Sequence, residues 1–186
     1  MRIGTLTFHL GPNHGGYLQA YCLHKYLKSL GHEVEIINYK NAKHHSNETF
    51  RPWIYRRPLK LFQAWLKHRS FDRAYKELEL STPFTTDVNE VDWNRYDAVV
   101  IGSDVVWDFS WDWLGHDPVY FGNFGSEYSG RIIAYAPSTG TVAPDAEIPQ
   151  WAVDGLKKIH GLSARDQTTA DIVERASGRE APFVVD

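Results

Sequence analysis

RIGTLTFHLGPNHGGYLQAYCLHKYLKSLGHEVEIINY, residues 2–39, decides the fold. Residues 2–8 form an apolar run that reads as a buried strand. From Tyr17 to Leu30 the apolar residues Leu18, Cys22, Leu23, Tyr26, Leu27 and Leu30 recur at helical spacing. This predicts an amphipathic helix that turns those residues inward and ends at Gly31, a residue suited to a helix C-terminus. Residues 33–39, EVEIINY, read as a second strand. Strand, helix and strand within about forty residues make a right-handed, parallel βαβ unit. Between the first strand and the helix lies HLGPNHGG, residues 9–16. A short glycine-bearing turn at a strand's carboxyl end is where open α/β proteins hold ligands.

Working outward, residues 40–57 are polar and read as a loop, and residues 58–80 as a helix with Leu59, Phe62, Trp65, Leu66 and Tyr75 on one side. Strands are expected at 96–102, 131–137 and, briefly, 161–166. Helices are expected at 148–159 and 167–177, and a last strand at 181–186. This alternation implies an α/β, Rossmann-like, mostly parallel sheet with helices on both faces. A strand that closes on Asp186 leads in this architecture to a further element, so the chain reads as the N-terminal half of something longer.

The chain has 186 residues, 42% hydrophobic and 23% charged, enough for one domain with a proper core. No uninterrupted apolar run approaches membrane-spanning length, and Met1-Arg2 leads directly into a strand with no signal-peptide pattern. The single cysteine, Cys22, fits a reducing cytosol and reads as a buried structural thiol on the apolar helix face. A net charge of −3 argues against nucleic-acid binding. The charge is uneven, however. Eight of the 20 Lys/Arg (Arg51, Arg56, Arg57, Lys60, Lys67, Arg69, Arg73, Lys76) fall in residues 51–76, against the single acid Asp72. The stretch 56–76 suits peripheral contact with an anionic membrane or an acidic partner. The commoner arrangement, and the one expected here, is a solvated basic face with its aromatic side packed on the domain.

Four stretches carry candidate chemistry. In the first turn, Gly15 and Gly16 permit close backbone approach, and the helix start beyond them favours an anion. His9, Asn13 and His14 line the same turn. Neither GxGxxG nor a Walker A loop can be placed on these glycines. The second is GSDVVWDFSWDW, residues 102–113. Its tryptophans beside acids suit saccharide recognition, because indole faces stack on sugar C–H surfaces and carboxylates accept hydroxyl hydrogen bonds. The bland alternative is a loop pinned by its own buried tryptophans, Trp107 first. Asp104, Asp108 and Asp112 would share a face if the segment were helical. No histidine or fourth ligand stands at metal-site spacing, so no metal is expected. The third is YAPSTG, 135–140, where Ser138 could meet an anion. The fourth is LSARDQTT, 162–169, where Arg165 at a strand end suits bidentate carboxylate or phosphate binding and Asp166 caps the next helix. A structural Arg165–Asp166 pair is its bland alternative. The pair His44-His45 has no supporting Cys or acid cluster.

Taken together, RIGTLTFH, GGYLQAYCLHKYLKSLGHEVEIINY, YDAVVIGSDVVWDF, IIAYAPSTG, LSARDQTTADIV and FVVD resemble, in order and spacing, the N-terminal half of the polysaccharide pyruvyl transferase family. Two departures stand out. Asn13-His14-Gly15-Gly16 replaces the usual Asn-Tyr/Phe-Gly-Ala, and Val105 stands where Gln often follows GSD. The resemblance implies a GT-B-like fold of two Rossmann-like domains. Residues 1–186 would be the N-terminal one, with a basic helical insertion at about 40–90, and the C-terminal domain would be missing. It implies transfer of pyruvate from phosphoenolpyruvate, as co-substrate and with no further cofactor, to a sugar hydroxyl. The product would be a ketal on a cell-surface or exopolysaccharide precursor, with a lipid-linked saccharide among the acceptors. On this footing Arg165, Ser138, Gly15 and Gly16 are expected at the donor. His9, Asn13, His14, Ser103, Asp104, Trp107 and Asp108 are expected to line the cleft or hold the acceptor. The family's key histidine, its favoured general acid, lies in the other half, so this portion alone is expected to be inactive. The setting implied is cytoplasmic, at the inner membrane surface. Two rivals remain: a GT-B-like glycosyltransferase half using a nucleotide sugar, and a non-catalytic saccharide-binding module.

Overall fold

The computed structural model describes residues 1–81, 83–125 and 127–185. Four parallel strands, β1 (Arg2–Leu6), β2 (Glu33–Ile36), β3 (Ala98–Ile101) and β4 (Arg131–Ala134), form a sheet in the order β2-β1-β3-β4. Ile3 pairs with Val34 on one side and Ala98 on the other, and Val99 pairs with Ile132. Single parallel bridges extend both edges. Leu80 and Thr85 lie beside Ile36 and Tyr39, Gly161 lies beside Ile133, and Phe183 beside Ala164. The chain thus runs outward from β1 to the edge strand β2, returns to β3 beside β1, and runs outward again to β4. The sheet is Rossmann-like and reverses between β1 and β3.

Alternation along each strand sets the two faces. Ile3, Val34 and Val100 pack under Leu23 and Leu27 of α1 (His14–Ser29). Leu6, Val99, Ile101, Ile132 and Ala134 face the larger core. There Leu156 of α4 (Gln150–Lys158) and Ile172 and Val173 of α5 (Gln167–Ser177) join Trp107, Tyr120 and Phe121. β3 is enclosed on both sides, as a central parallel strand must be. On the α1 side, Ile133 and Tyr135 at the β4 edge stay exposed.

The strands stop one to three residues before the sequence runs suggested, because the chain turns at their carboxyl ends. Residues 161–166 and 181–186 contribute only single bridges, and Asp186 lies outside the described residues. α1 starts at His14, a turn earlier than expected, with the Asn13 side chain accepting from the Gly15 N–H at 3.0 Å. It is also rotated. Gly16, Ala20 and His24 face inward, while Leu18, Tyr26 and Cys22 are exposed. Cys22 is therefore not a core thiol.

The stretch 40–57 is not a plain loop. Asn41 caps α2 (Ala42–Glu48), and a 3-10 turn follows at Pro52–Ile54. α3 (Pro58–Ala74) carries a second correction. Its inward stripe is Leu61, Ala64, His68 and Phe71, while Leu59, Phe62, Trp65 and Leu66 lie in solvent among the basic residues. The aromatic side expected to pack on the domain is exposed. Among the described residues no helix is long and apolar enough to cross a membrane.

Candidate functional site

The reversal point between β1 and β3 holds a cleft. A cavity of about 190 Å³ is lined by Phe8, Leu10, Gly11, Asn13 and Gly16 from beyond β1 and by Asp104 and Val105 from beyond β3. His44 and Glu48 of α2 and Trp111, Trp113 and Leu114 of the following loop close it. Ligands of open α/β sheets bind at such a point, outside the carboxyl ends of the strands.

Each wall has a local cause. Gly16 sits in the first turn of α1 with Phe8 O and the Asp104 carboxylate so near that a Cβ there would be tightly crowded by both. That glycine lets the helix start approach the aspartate. Asp104 itself adopts a left-handed backbone, φ 82°, uncommon for a residue with a side chain. Its Oδ1 accepts from the Val105 N–H at 2.8 Å, and its carbonyl accepts from the Ser138 N–H at 2.9 Å. Trp111 and Trp113 stack on each other, with ring centroids 5.4 Å apart and planes 19° apart, and both are partly exposed. The His44 ring lies 5.1 Å from that of Trp113, and Asn47 donates to the Trp113 carbonyl.

At the α2 wall of this cleft lies a charge pair, with Lys40 buried and Glu48 partly so. Lys40, 1% exposed, donates to the Leu10 carbonyl and to Glu48, and His44 Nε2 stands 3.3 Å from the same carboxylate. Burial lowers the Lys40 pKa, with Glu48 opposing it. Burial works to raise that of Glu48, but His44 and Lys40 outweigh it and hold the carboxylate below its ordinary value. Glu48 also borders a second, larger cavity of about 510 Å³. This one lies between α2 and α3 and shares Leu10 and Gly11 with the first.

The expected residues lie in different places. Asn13 and Gly16 line the cleft with Asp104. Gly15 is exposed and its N–H serves the Asn13 cap. His14 is exposed and its ring leans on Phe71 at 4.8 Å. His9, Ser103, Trp107, Asp108 and Ser138 are inside the protein. His9 is buried, with Nδ1 donating to the Thr7 carbonyl at 3.1 Å and Nε2 3.2 Å from the Asn38 amide. Burial drops its pKa to about 4, so it is a neutral structural histidine rather than a cleft wall. Ser103 is buried and its Oγ donates to Gln19, tying β3 to α1.

Trp107 is fully enclosed, its Nε1 donating to the Tyr120 carbonyl at 2.7 Å. It pins the loop from within and lines no cleft. Asp108 is also buried. It accepts from the backbone and hydroxyl of both Ser110 and Thr141 and from the Trp111 N–H. Burial would raise its pKa, but these donors outweigh burial and lower it. Asp108 thus places Trp111 rather than touching a ligand, and residues 104–112 do not form the single helix that would align the three aspartates.

On the expected donor side, Ser138 is buried and its Oγ donates to Asp166 Oδ2 at 2.7 Å while accepting from the Gly140 N–H. Asp166 also caps α5 through the Thr169 N–H. Arg165 is half-buried at the end of the next strand-like segment, its N–H on the Pro137 carbonyl at 3.2 Å. Asp104 bridges Pro137 from the other side, so Asp104 and Arg165 lie two strand spacings apart, about 10 Å.

Sequence reasoning missed Glu48 and Lys40 and set His44 aside with His45, because α2, which brings His44 and Glu48 together, was not recognised. The spacing His44-x-x-x-Glu48 after a capping Asn41 was the available signal. No curated protein and no solved structure matches the chain. The model of one protein family, polysaccharide pyruvyl transferase, matches residues 13–186. Nearly the whole chain is covered, including the capped turn before α1, the Asp104 and Trp111 loop and the Arg165–Asp166 corner, and the chain belongs to the polysaccharide pyruvyl transferase family.

Proposed function

We propose that this chain supplies the acceptor side of a phosphoenolpyruvate-dependent transfer that converts two hydroxyls of a saccharide into a pyruvate ketal. The observation that supports it is the stacked Trp111–Trp113 pair set beside Asp104 and the start of α1 in the reversal-point cleft. Indole faces pack on sugar C–H groups while a carboxylate takes hydroxyl hydrogen bonds. In this chemistry the first hydroxyl adds to C2 of phosphoenolpyruvate as a proton joins the methylene carbon. The second hydroxyl then displaces phosphate at C2. The addition calls for a base beside the acceptor and an acid beside the methylene, and the displacement calls for a base on the second hydroxyl as phosphate leaves. Asp104 is the base this reading assigns. His9, neutral and with both ring nitrogens engaged, is not the acid. The donor carries up to three negative charges and needs fixed cations, and Arg165 is the residue assigned to it here.

The test is steady-state kinetics on the complete protein, following phosphate release from phosphoenolpyruvate with a pyruvylatable saccharide. Trp111→Ala with Trp113→Ala is expected to raise the acceptor KM about tenfold and leave the phosphoenolpyruvate KM in place. Arg165→Ala is expected to do the reverse. Turnover with a nucleotide sugar and none with phosphoenolpyruvate would overturn the assignment.

A further inference from the structure

We propose that the turn at Pro52–Ile54 and the outer face of α3 dock onto an anionic lipid surface. Two features coincide there. The first is bare apolar surface. Trp53 is 77% exposed, Leu59 68% and Phe62 54%, with Ile54, Trp65 and Leu66 beside them. These side chains are not the helix's packing stripe, since Leu61, Ala64, His68 and Phe71 serve that purpose. α3 therefore carries a second apolar stripe that its own domain leaves uncovered.

The second feature is charge. Arg56, Arg57, Lys60, Lys67, Arg69 and Arg73 are interleaved with those side chains. Asp72, the only acid between residues 51 and 76, borders the cavity between α2 and α3. Arg69 lies over the Trp65 ring at 5.2 Å, and Phe62 stacks on Trp65 at 5.9 Å. Trp, Phe and Leu mixed with long basic side chains suit the headgroup layer. There the rings enter the acyl boundary and the cations reach back to lipid phosphates. An acidic protein partner would satisfy the charges but not the projecting Trp53 and Phe62. A second copy of this chain would set basic face against basic face. Charge complementarity therefore selects a bilayer containing acidic lipid.

The placement has a consequence that rests on the proposed function. α3 also walls the larger cavity, through His68 and Phe71 with Trp65 and Arg69 of the docking face at its edge, next to the reversal-point cleft. A docked α3 would bring that cavity's mouth to the headgroup layer, within reach of a saccharide carried on a lipid.

The experiment is flotation of the complete protein with two vesicle preparations. One is pure phosphatidylcholine, the other phosphatidylcholine with about one-third phosphatidylglycerol, each at low and high salt. Flotation with the acidic vesicles alone, weakened by salt, is expected. Trp53→Ser with Phe62→Ser, and separately Arg56→Glu with Lys60→Glu, should each lower vesicle partitioning about tenfold or more. Neither pair lines the cleft or the larger cavity, so transfer to a water-soluble acceptor should persist. Equal flotation with neutral vesicles, no flotation, or variants that float like the parent would overturn the proposal. So would a dimer that these same variants split, since the face would then belong to a second copy. Flotation without any phosphoenolpyruvate turnover would leave the docking in place and remove the transferase reading instead.

Discussion

Asp104 joins two properties that are separable by mutation. Its backbone is left-handed, and its carboxylate lines the cleft. Asn tolerates that backbone better than Ala does, while Gly adopts it freely. Asp104→Asn and Asp104→Gly are therefore expected to stay within about 1 kcal/mol of the parent in urea unfolding, and Asp104→Ala to lose more. If the carboxylate is the acceptor's base, all three should lose transfer. A full-rate Asp104→Asn enzyme would reduce Asp104 to a turn residue. The sequence placed Asp104 in its motif, but it could not separate Asp104 from Asp108 four residues on. Both are carboxylates after the same strand. Only the fold turns one toward the cleft and surrounds the other with Ser110, Trp111 and Thr141.

At the scale of elements, α5 was the most legible helix. Residues 167–177 and Asp166 as the cap stand as the sequence suggested, because capping is local chemistry, and Gly178 closes the helix in a left-handed conformation. The cap does more than end a helix. Asp166 also takes the Ser138 hydroxyl, so it locks the loop after β4 to the start of α5. Asp166→Ala should therefore cost more than an ordinary cap, about 2 kcal/mol or more, measured by chemical unfolding. A loss of only a few tenths would mean that Ser138 and Thr169 find other partners. α2 and α3 show the opposite case. α2 has seven residues and little apolar content, so no periodicity announces it. α3 has two apolar stripes, and composition does not say which one the domain covers.

At the scale of the whole molecule, two buried groups pull stability in opposite directions with pH. His9 has a folded pKa of about 4, below its ordinary 6.5, so its contribution is present above that value and is lost as pH falls through 4. Asp117 is buried, accepts from the Val119 N–H and Tyr39 hydroxyl, and burial raises its pKa to about 6. Its contribution is full below 3.8 and is lost as pH rises through 6. Relative to Asp117→Asn, the parent should therefore gain stability, on the order of 1–3 kcal/mol, as pH falls from 6 to 4. Urea midpoints across that window check it. A constant difference between the two proteins would show that Asp117 is already ionised at the lower pH.

What the sequence determined by itself was the parallel α/β class, the order of its segments, and the loops that leave the strands' carboxyl ends. These follow from periodicity, turn residues and caps, all of which act over a few positions. Which residues of those loops meet a ligand was decided by the tertiary structure. His9, Ser103, Trp107 and Asp108 sit in the same loops as Asn13, Gly16 and Asp104, yet they point into the protein and bond there. The partners that draw them inward, Asn38, Gln19, Tyr120 and Thr141, are distant in sequence. The same holds for the two faces of α3. Burial depends on what the chain brings alongside, and a linear pattern carries no record of that.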